Sequence, residues 1–185
     1  MIAAIIPGSA AGNTLPLLLS DMPKACDVSL LLANLNSMPF DYIARQKAQS
    51  THLNWYIVEQ LPVFAPDRFE ASIGSQNIAE FIRQQVLALT YTAHDMAPFA
   101  RDMNHVDAKG DVLPPFVWDA EDRRTRMASL DALFFHLYGI NANDAAYILG
   151  SFPIVREQDE KAFGRFRTKD DILKKLKTIG AGQLA

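Results

Sequence analysis

Hydrophobic and polar positions change rhythm about a third of the way along the chain. Ile2-Ala-Ala-Ile-Ile6 is a short apolar run closed by Pro7, which predicts a strand buried on both faces. Gly8 to Asn13 is small and polar and reads as a loop, with Leu15 to Leu19 a second short strand. Asp27 then precedes apolar residues at 28, 31, 32, 35, 40 and 43, which share one helical face. Asp27 is its expected N-cap, and Pro39 interrupts the helix because it cannot donate to the ladder. Gln46 to Asn54 is polar and predicts a loop; Trp55 to Val58 predicts a strand, closed by Leu61-Pro62-Val63. Phe64 to Glu70, with Pro66, reads as a linker.

Beyond it the pattern turns helical. Asn77 with Glu80 three residues on resembles a capping box, and apolar residues at 78, 81, 82, 86, 89 and 93 continue one face. Asp107 to Pro115, with Gly110 and a Pro-Pro pair, is a loop. Asp119 should cap a helix running to Leu137, with Met127, Leu130, Leu133, Phe134 and Leu137 on its apolar side and Gly139 as its C-terminal stop. Asn141 to Leu149 is a short capped helix. A last helix starts at Thr168, with Asp171 at its third position and Leu173, Leu176 and Ile179 facing inward. The expected fold class is α+β: a small mixed α/β part over residues 1–66, then a mainly α-helical part over 67–185.

Composition narrows the function. The chain has 185 residues, enough to bury a core, and at 49% hydrophobic and 21% charged it is not a disordered sequence. Its formal net charge of -3 excludes a uniformly basic nucleic-acid binder and a polybasic membrane-surface protein. One cysteine, Cys26, excludes an internal disulfide framework and a multi-cysteine zinc site. The apolar start lacks a basic leader region and Leu15–Leu19 is too short to span a bilayer, so a cytoplasmic protein with no membrane partner is expected. The charge is uneven, however: residues 151–185 carry 8 basic and 5 acidic side chains.

Most candidate chemistry fails on inspection. Pro114-Pro115-Phe116 resembles the Pro-Pro-aromatic core of an amino-methyltransferase site, but the preceding Leu113 cannot hold a target amine. Asp67 and Glu70 lack the lysine two residues on that a metal-dependent nuclease needs; Ser72 stands there. His52, His94, His105 and His136 show no zinc-ligand spacing, and no Gly-rich nucleotide turn or nucleophile elbow is present. No cofactor, metal or catalytic residue is expected. The stretch Arg45, Gln46, Lys47, Gln49, Ser50, Thr51, His52, Asn54 is more informative. Arg, Gln and Asn pair with base edges, while Lys, Ser and Thr suit phosphates.

In context that stretch looks familiar. Leu31-Leu32-Ala-Asn-Leu-Asn36-Ser37, Phe40-Asp41-Tyr42-Ile-Ala-Arg45-Gln46-Lys47, Thr51-His52-Leu53-Asn54 and Glu59-Gln60-Leu61-Pro62 resemble the end of a target-recognition region. The regions in question are those of large single-chain N6-adenine DNA methyltransferases and fused restriction-modification enzymes. Type I restriction specificity subunits carry a looser version. Downstream, Leu89-Thr90-Tyr91-Thr92-Ala93, Pro98-Phe99-Ala100, Trp118-Asp119, Leu137-Tyr138-Gly139-Ile140, Phe152-Pro153-Ile154-Val155 and Arg167-Thr168-Lys169 are similar to the C-terminal tail of the same enzymes.

The resemblance implies a non-catalytic DNA target-recognition fragment of a restriction-modification or phage-defence methyltransferase. Its partners would be double-stranded DNA and a methyltransferase catalytic domain or subunit, since the cofactor and Asn-Pro-Pro-Tyr motifs of that family are not in this sequence. Arg45, Gln46, Lys47, Gln49, Ser50, Thr51, His52 and Asn54 would face DNA. Lys161, Arg165, Arg167 and Lys169 form a second group suited to phosphates. An orphaned first strand would leave an edge inviting self-association. The alternative is an interaction module that braces the methyltransferase body without touching DNA.

Overall fold

The computed structural model describes residues 2–8, 17–18, 24–48 and 54–184. It is mainly helical with a small amount of β structure, as the sequence pattern predicts. The helices are α1 (Ala25–Asn36), α2 (Met38–Lys47), α3 (Trp55–Val58), α4 (Ile78–Thr90), α5 (Ala97–Asp102), α6 (Ala120–Leu137), α7 (Ala142–Gly150), α8 (Pro153–Phe163) and α9 (Arg167–Gly180). The sheet is a two-stranded antiparallel hairpin, β1 (Ser72–Ile73) and β2 (Gln76–Asn77).

α6 organises the core. Every residue from Ala128 to Phe135 is buried, so its second half meets neighbours on all sides while its first half carries charge. α9, α4 and α2 pack against it, and α1 packs on α4. One hydrophobic cluster joins Leu30 and Ala33 of α1 to Phe69, Ile82 of α4, Phe134 of α6, Leu149 of α7 and Ile172 of α9, and so runs across position 66/67. A smaller cluster gathers Leu35, Phe40, Ala44 and Leu61.

Several local signals read from the sequence hold. The Asn77 side chain accepts from the Glu80 N–H, Asp119 from Asp122 and Asn141 from Asn143 and Asp144, each satisfying donors that a helix start leaves open. Gly139 sits at φ 71°, a left-handed stop after α6. Others do not hold. Residues 2–7 form no strand: Ile2 is 96% exposed. The segment is tied down through Ala3, whose N–H and C=O both bond to the Asn36 amide, at 2.8 and 2.9 Å. Trp55–Val58, also expected as a strand, is a single helical turn in which the Asn54 carbonyl accepts from Ile57 and Val58. Four apolar residues are too few for periodicity to separate a strand from a turn. Of Leu15–Leu19, only Leu17 and Leu18 are described; both are exposed and outside any strand.

Helix starts shift as well. α1 begins at Ala25, so Asp27 lies in its first turn and pairs with Arg83 at 3.5 Å rather than capping. α9 begins at Arg167, which places Asp171 in its second turn. The cap comes instead from α8, where buried Asp159 accepts the Thr168 N–H at 2.6 Å and the Arg124 guanidinium at 3.2 Å. The Phe64–Glu70 stretch is not a free linker. The Phe64 ring lies 4.5 Å from Tyr138 and 6.0 Å from Phe69, and Phe69 is fully buried. The Phe64 N–H donates to buried Asn34, which also donates to the Tyr138 hydroxyl; Tyr138 in turn donates to the Pro62 carbonyl. Burial raises the Tyr138 phenol pKa, and the Asn34 hydrogen bond opposes this.

Candidate nucleic-acid interface

The predicted DNA-facing loop leaves the C-terminal end of α2. Gln49, Ser50, Thr51 and His52 lie outside the described residues. Arg45, Gln46, Lys47 and Asn54 are exposed, but not equally available. Arg45 is held on its own helix by Asp41 at 2.8 Å and lies over the Phe152 ring, 4.7 Å from its centre. It is a packing residue before it is a reader of bases. The Lys47 ammonium donates to the Gln60 side-chain Oε1 at 3.5 Å, and the Gln60 side-chain amide donates to the Tyr56 backbone carbonyl. Asn54 makes no side-chain cap to α3, so its amide stays available to solvent.

The second group clusters where α8 meets α9. Arg165 pairs with Asp170 at 3.4 Å, and Arg167 forms a bidentate pair with Glu121 while also reaching Asp171 at 3.4 Å. The Arg167 pair holds the Glu121 carboxyl below its usual range, chiefly by hydrogen bonding, and raises the guanidinium in return. Arg124 and Arg167 both lie over the Phe163 ring, at 4.6 and 4.8 Å. Of this group, only Lys161 and Lys169 form no ion pair with a described residue. Two of the four predicted phosphate contacts thus have carboxylate partners within the chain, Arg167 in a partly buried bidentate pair and Arg165 in an exposed one.

It adds others. Lys174, Lys175 and Lys177 lie further along α9, and none forms an ion pair with a described carboxylate. Lys174 and Lys177 are exposed, on the side away from buried Ile172 and Leu176. Partial burial lowers the Lys175 ammonium pKa, and Asp171 opposes this. Lys174 and Lys175 line a groove of about 350 Å³ together with Thr125 of α6, Arg167, Asp171 and Thr178. Sequence reasoning passed over these lysines, although the spacing that buries Ile172, Leu176 and Ile179 puts 174 and 177 on the opposite side. The two basic regions are linked through α8: Arg45 rests on Phe152 just before its start, and Lys161 lies in its last turn, roughly 13 Å away along the axis.

Other polar side chains near α6 serve the fold. Arg123 donates to the Leu89 carbonyl at 2.8 Å and lies 3.9 Å from the centre of the Trp118 ring; desolvation lowers its pKa. Pro114–Phe116 is an extended connector stitched to Tyr91, whose hydroxyl donates to the Leu113 carbonyl and whose carbonyl accepts the Phe116 N–H. His105 stacks on Phe116 at 5.0 Å. Among the described residues no three His, Cys, Asp or Glu side chains gather as metal ligands, and no helix is long and apolar enough to cross a membrane.

The chain matches no known protein family, no curated protein and no solved structure. Its functional reading therefore rests on the residues themselves.

Proposed function

We propose that this chain is a non-catalytic, cytoplasmic DNA-contacting module. In this reading it is the target-recognition end and helical tail of a restriction-modification or phage-defence adenine methyltransferase. It would act on double-stranded DNA together with a separate catalytic domain or subunit. The observation that carries the reading is the run of lysines on α9. Lys174 and Lys177 are exposed and form no ion pair with a described carboxylate, and Lys174 lines a groove together with Lys175, Arg167 and Asp171. Lysine is a compact, strongly hydrated point charge suited to phosphate. In this reading α9 grips the DNA backbone, Lys161 and Lys169 extend the grip, and Gln46, Lys47 and Asn54 face the bases.

Fluorescence anisotropy with a labelled 25-base-pair duplex at low salt tests this. Each phosphate neutralised adds about 0.9 to the slope of log affinity against log salt. Reversing Lys174 and Lys177 to Glu should weaken binding at least tenfold and reduce that slope by about 2. Substituting Arg45 should matter less, because Asp41 and Phe152 already hold it. A duplex that binds equally well to the reversed variant sinks the α9 assignment.

A second reading, the bracing module, is favoured by a different observation: Val117 and Trp118 are 89% and 66% exposed beside α6. Apolar side chains this exposed suit a protein contact. Absence of duplex binding at low salt would leave this reading in place.

A further inference from the structure

The helical turn found where a strand was expected changes what Trp55 and Tyr56 present. In a strand, Trp55 and Tyr56 would point to opposite faces. In α3 both lie outward, 54% and 61% exposed, while Ile57 beside them is buried at 8%. Buried Ile57 and the bonds from the Asn54 carbonyl to the Ile57 and Val58 N–H groups anchor the turn. Two adjacent aromatic rings are thus carried by a fixed backbone, at little further cost in ordering.

Their surroundings select an occupant. The Lys47 ammonium reaches the Gln60 side chain, whose amide N–H donates to the Tyr56 backbone carbonyl, so a cation is tied to the same turn that carries the aromatic pair. Asn54, with an exposed amide, directly precedes the pair, exposed Gln46 adjoins Lys47 in α2, and Glu59 is the acidic residue that closes the turn. Exposed rings, one cation and neutral amides are the combination that receives unstacked nucleobases: rings take base faces, amides take base edges, and the cation takes a phosphate. An apolar partner protein would have no use for the free amides and ammonium.

Resting on the DNA-contact reading above, we propose that Trp55 and Tyr56 form a stacking platform for unpaired bases, so that the module favours single-stranded or locally opened DNA at this end. The chain has two tryptophans, so Trp118→Phe leaves Trp55 as the sole indole reporter. Titrating that variant with a 20-nucleotide oligothymidine, and with a duplex carrying one central mismatch, should quench Trp55 emission by half or more. A fully paired duplex of equal length should quench it much less. Trp55→Ala with Tyr56→Ala should weaken binding of the single strand by about tenfold, while circular dichroism remains that of the parent.

The two claims fail differently. If anisotropy reports DNA binding that the Lys174→Glu, Lys177→Glu variant loses, but Trp55 emission is unmoved and the double alanine variant binds equally well, the platform is wrong and the α9 assignment stands. If no probe binds at all, both are overturned.

Discussion

Asp131 offers a quantitative test of the packing around α6. Its side chain lies inside the helical body and accepts the Met38 N–H at 2.7 Å, thereby capping the start of α2 from another helix. The Ser37 hydroxyl, which would cap α2 locally, donates back to the Asn34 carbonyl instead. Burial pushes the Asp131 carboxyl up from 3.8 to about 7, against the smaller opposing effect of the Met38 hydrogen bond. The sign follows from proton counting. Between these two values the folded state holds a proton that the unfolded state has released. Stability therefore falls as pH rises through this window, and the full penalty is present above pH 7. At about 1.4 kcal/mol per pH unit the window is worth on the order of 4 kcal/mol, a large share of a domain's net stability.

Asp131→Asn should remove this dependence, since the amide oxygen still accepts from Met38 and no charge has to be buried. Urea unfolding followed by circular dichroism at pH 5, 6, 7 and 8 gives the free energy for both proteins. All other titrating groups are common to both and cancel in the difference. The variant should gain about 2–4 kcal/mol on the parent between pH 5 and 8, which at a slope of about 2 kcal/mol per molar urea moves the midpoint by 1–2 M. Any fixed cost of placing the amide NH₂ displaces that difference without tilting it. A difference constant to about 0.5 kcal/mol across the range would refute the reasoning.

Two further tests concern the fold. Asn34→Ala should cost about 2–3 kcal/mol by urea unfolding, because it strands the partly buried Phe64 N–H and removes the donor to Tyr138, whereas Tyr138→Phe should cost about 1 kcal/mol. Gly74→Ala should destabilise more than Gly139→Ala in thermal melts. Both sites have positive φ, at 60° and 71°, which costs about 1 kcal/mol, but a Cβ at Gly74 would also meet the Gly182 carbonyl oxygen at 2.5 Å, while Gly139 faces open space.

What the sequence made legible was punctuation. Asn77, Asp119 and Asn141 mark three helix starts because a short polar side chain just before an apolar face can do little else as well. The Leu137–Gly139 stop is readable for the same local reason. What stayed hidden depends on distance. Asp159 caps α9 from the preceding helix, and Asp131 caps α2 from far along the chain. α8 opens on Pro153 and closes on Gly164 at φ 70°, yet its face is too polar for periodicity to announce it. The hairpin turns on Gly74-Ser75, but its strands are two residues each, below the length at which alternation can be seen. Of the candidate site, residues 45–47 and 54 were readable as exposed and polar; that Arg45 is tied to Phe152 was not, since that contact joins α2 to the start of α8.

The distribution of arginine and lysine then sharpens what a net charge of -3 left open. Arg123, Arg124 and Arg126 on α6 are all committed inside the molecule, to Leu89, Asp159 and Gln85 among others. Arg156 pairs with Glu160, Arg165 with Asp170 and Arg167 with Glu121. Eight of the ten arginines are thus engaged within the molecule, several of them at the surface; Arg68 and Arg101 are exposed without an ion pair to a described residue, and α9 faces outward with lysines. Lysines attract phosphates without distinguishing bases. Among the described members of the predicted DNA-facing stretch, the side chains suited to base edges are the exposed amides of Gln46 and Asn54, toward the other end of α8. Charge reversal on α9 would then lower affinity uniformly across DNA sequences, while Gln46→Ala or Asn54→Ala would flatten sequence preference and leave the salt dependence unchanged. This separation follows from which cations the fold has already used.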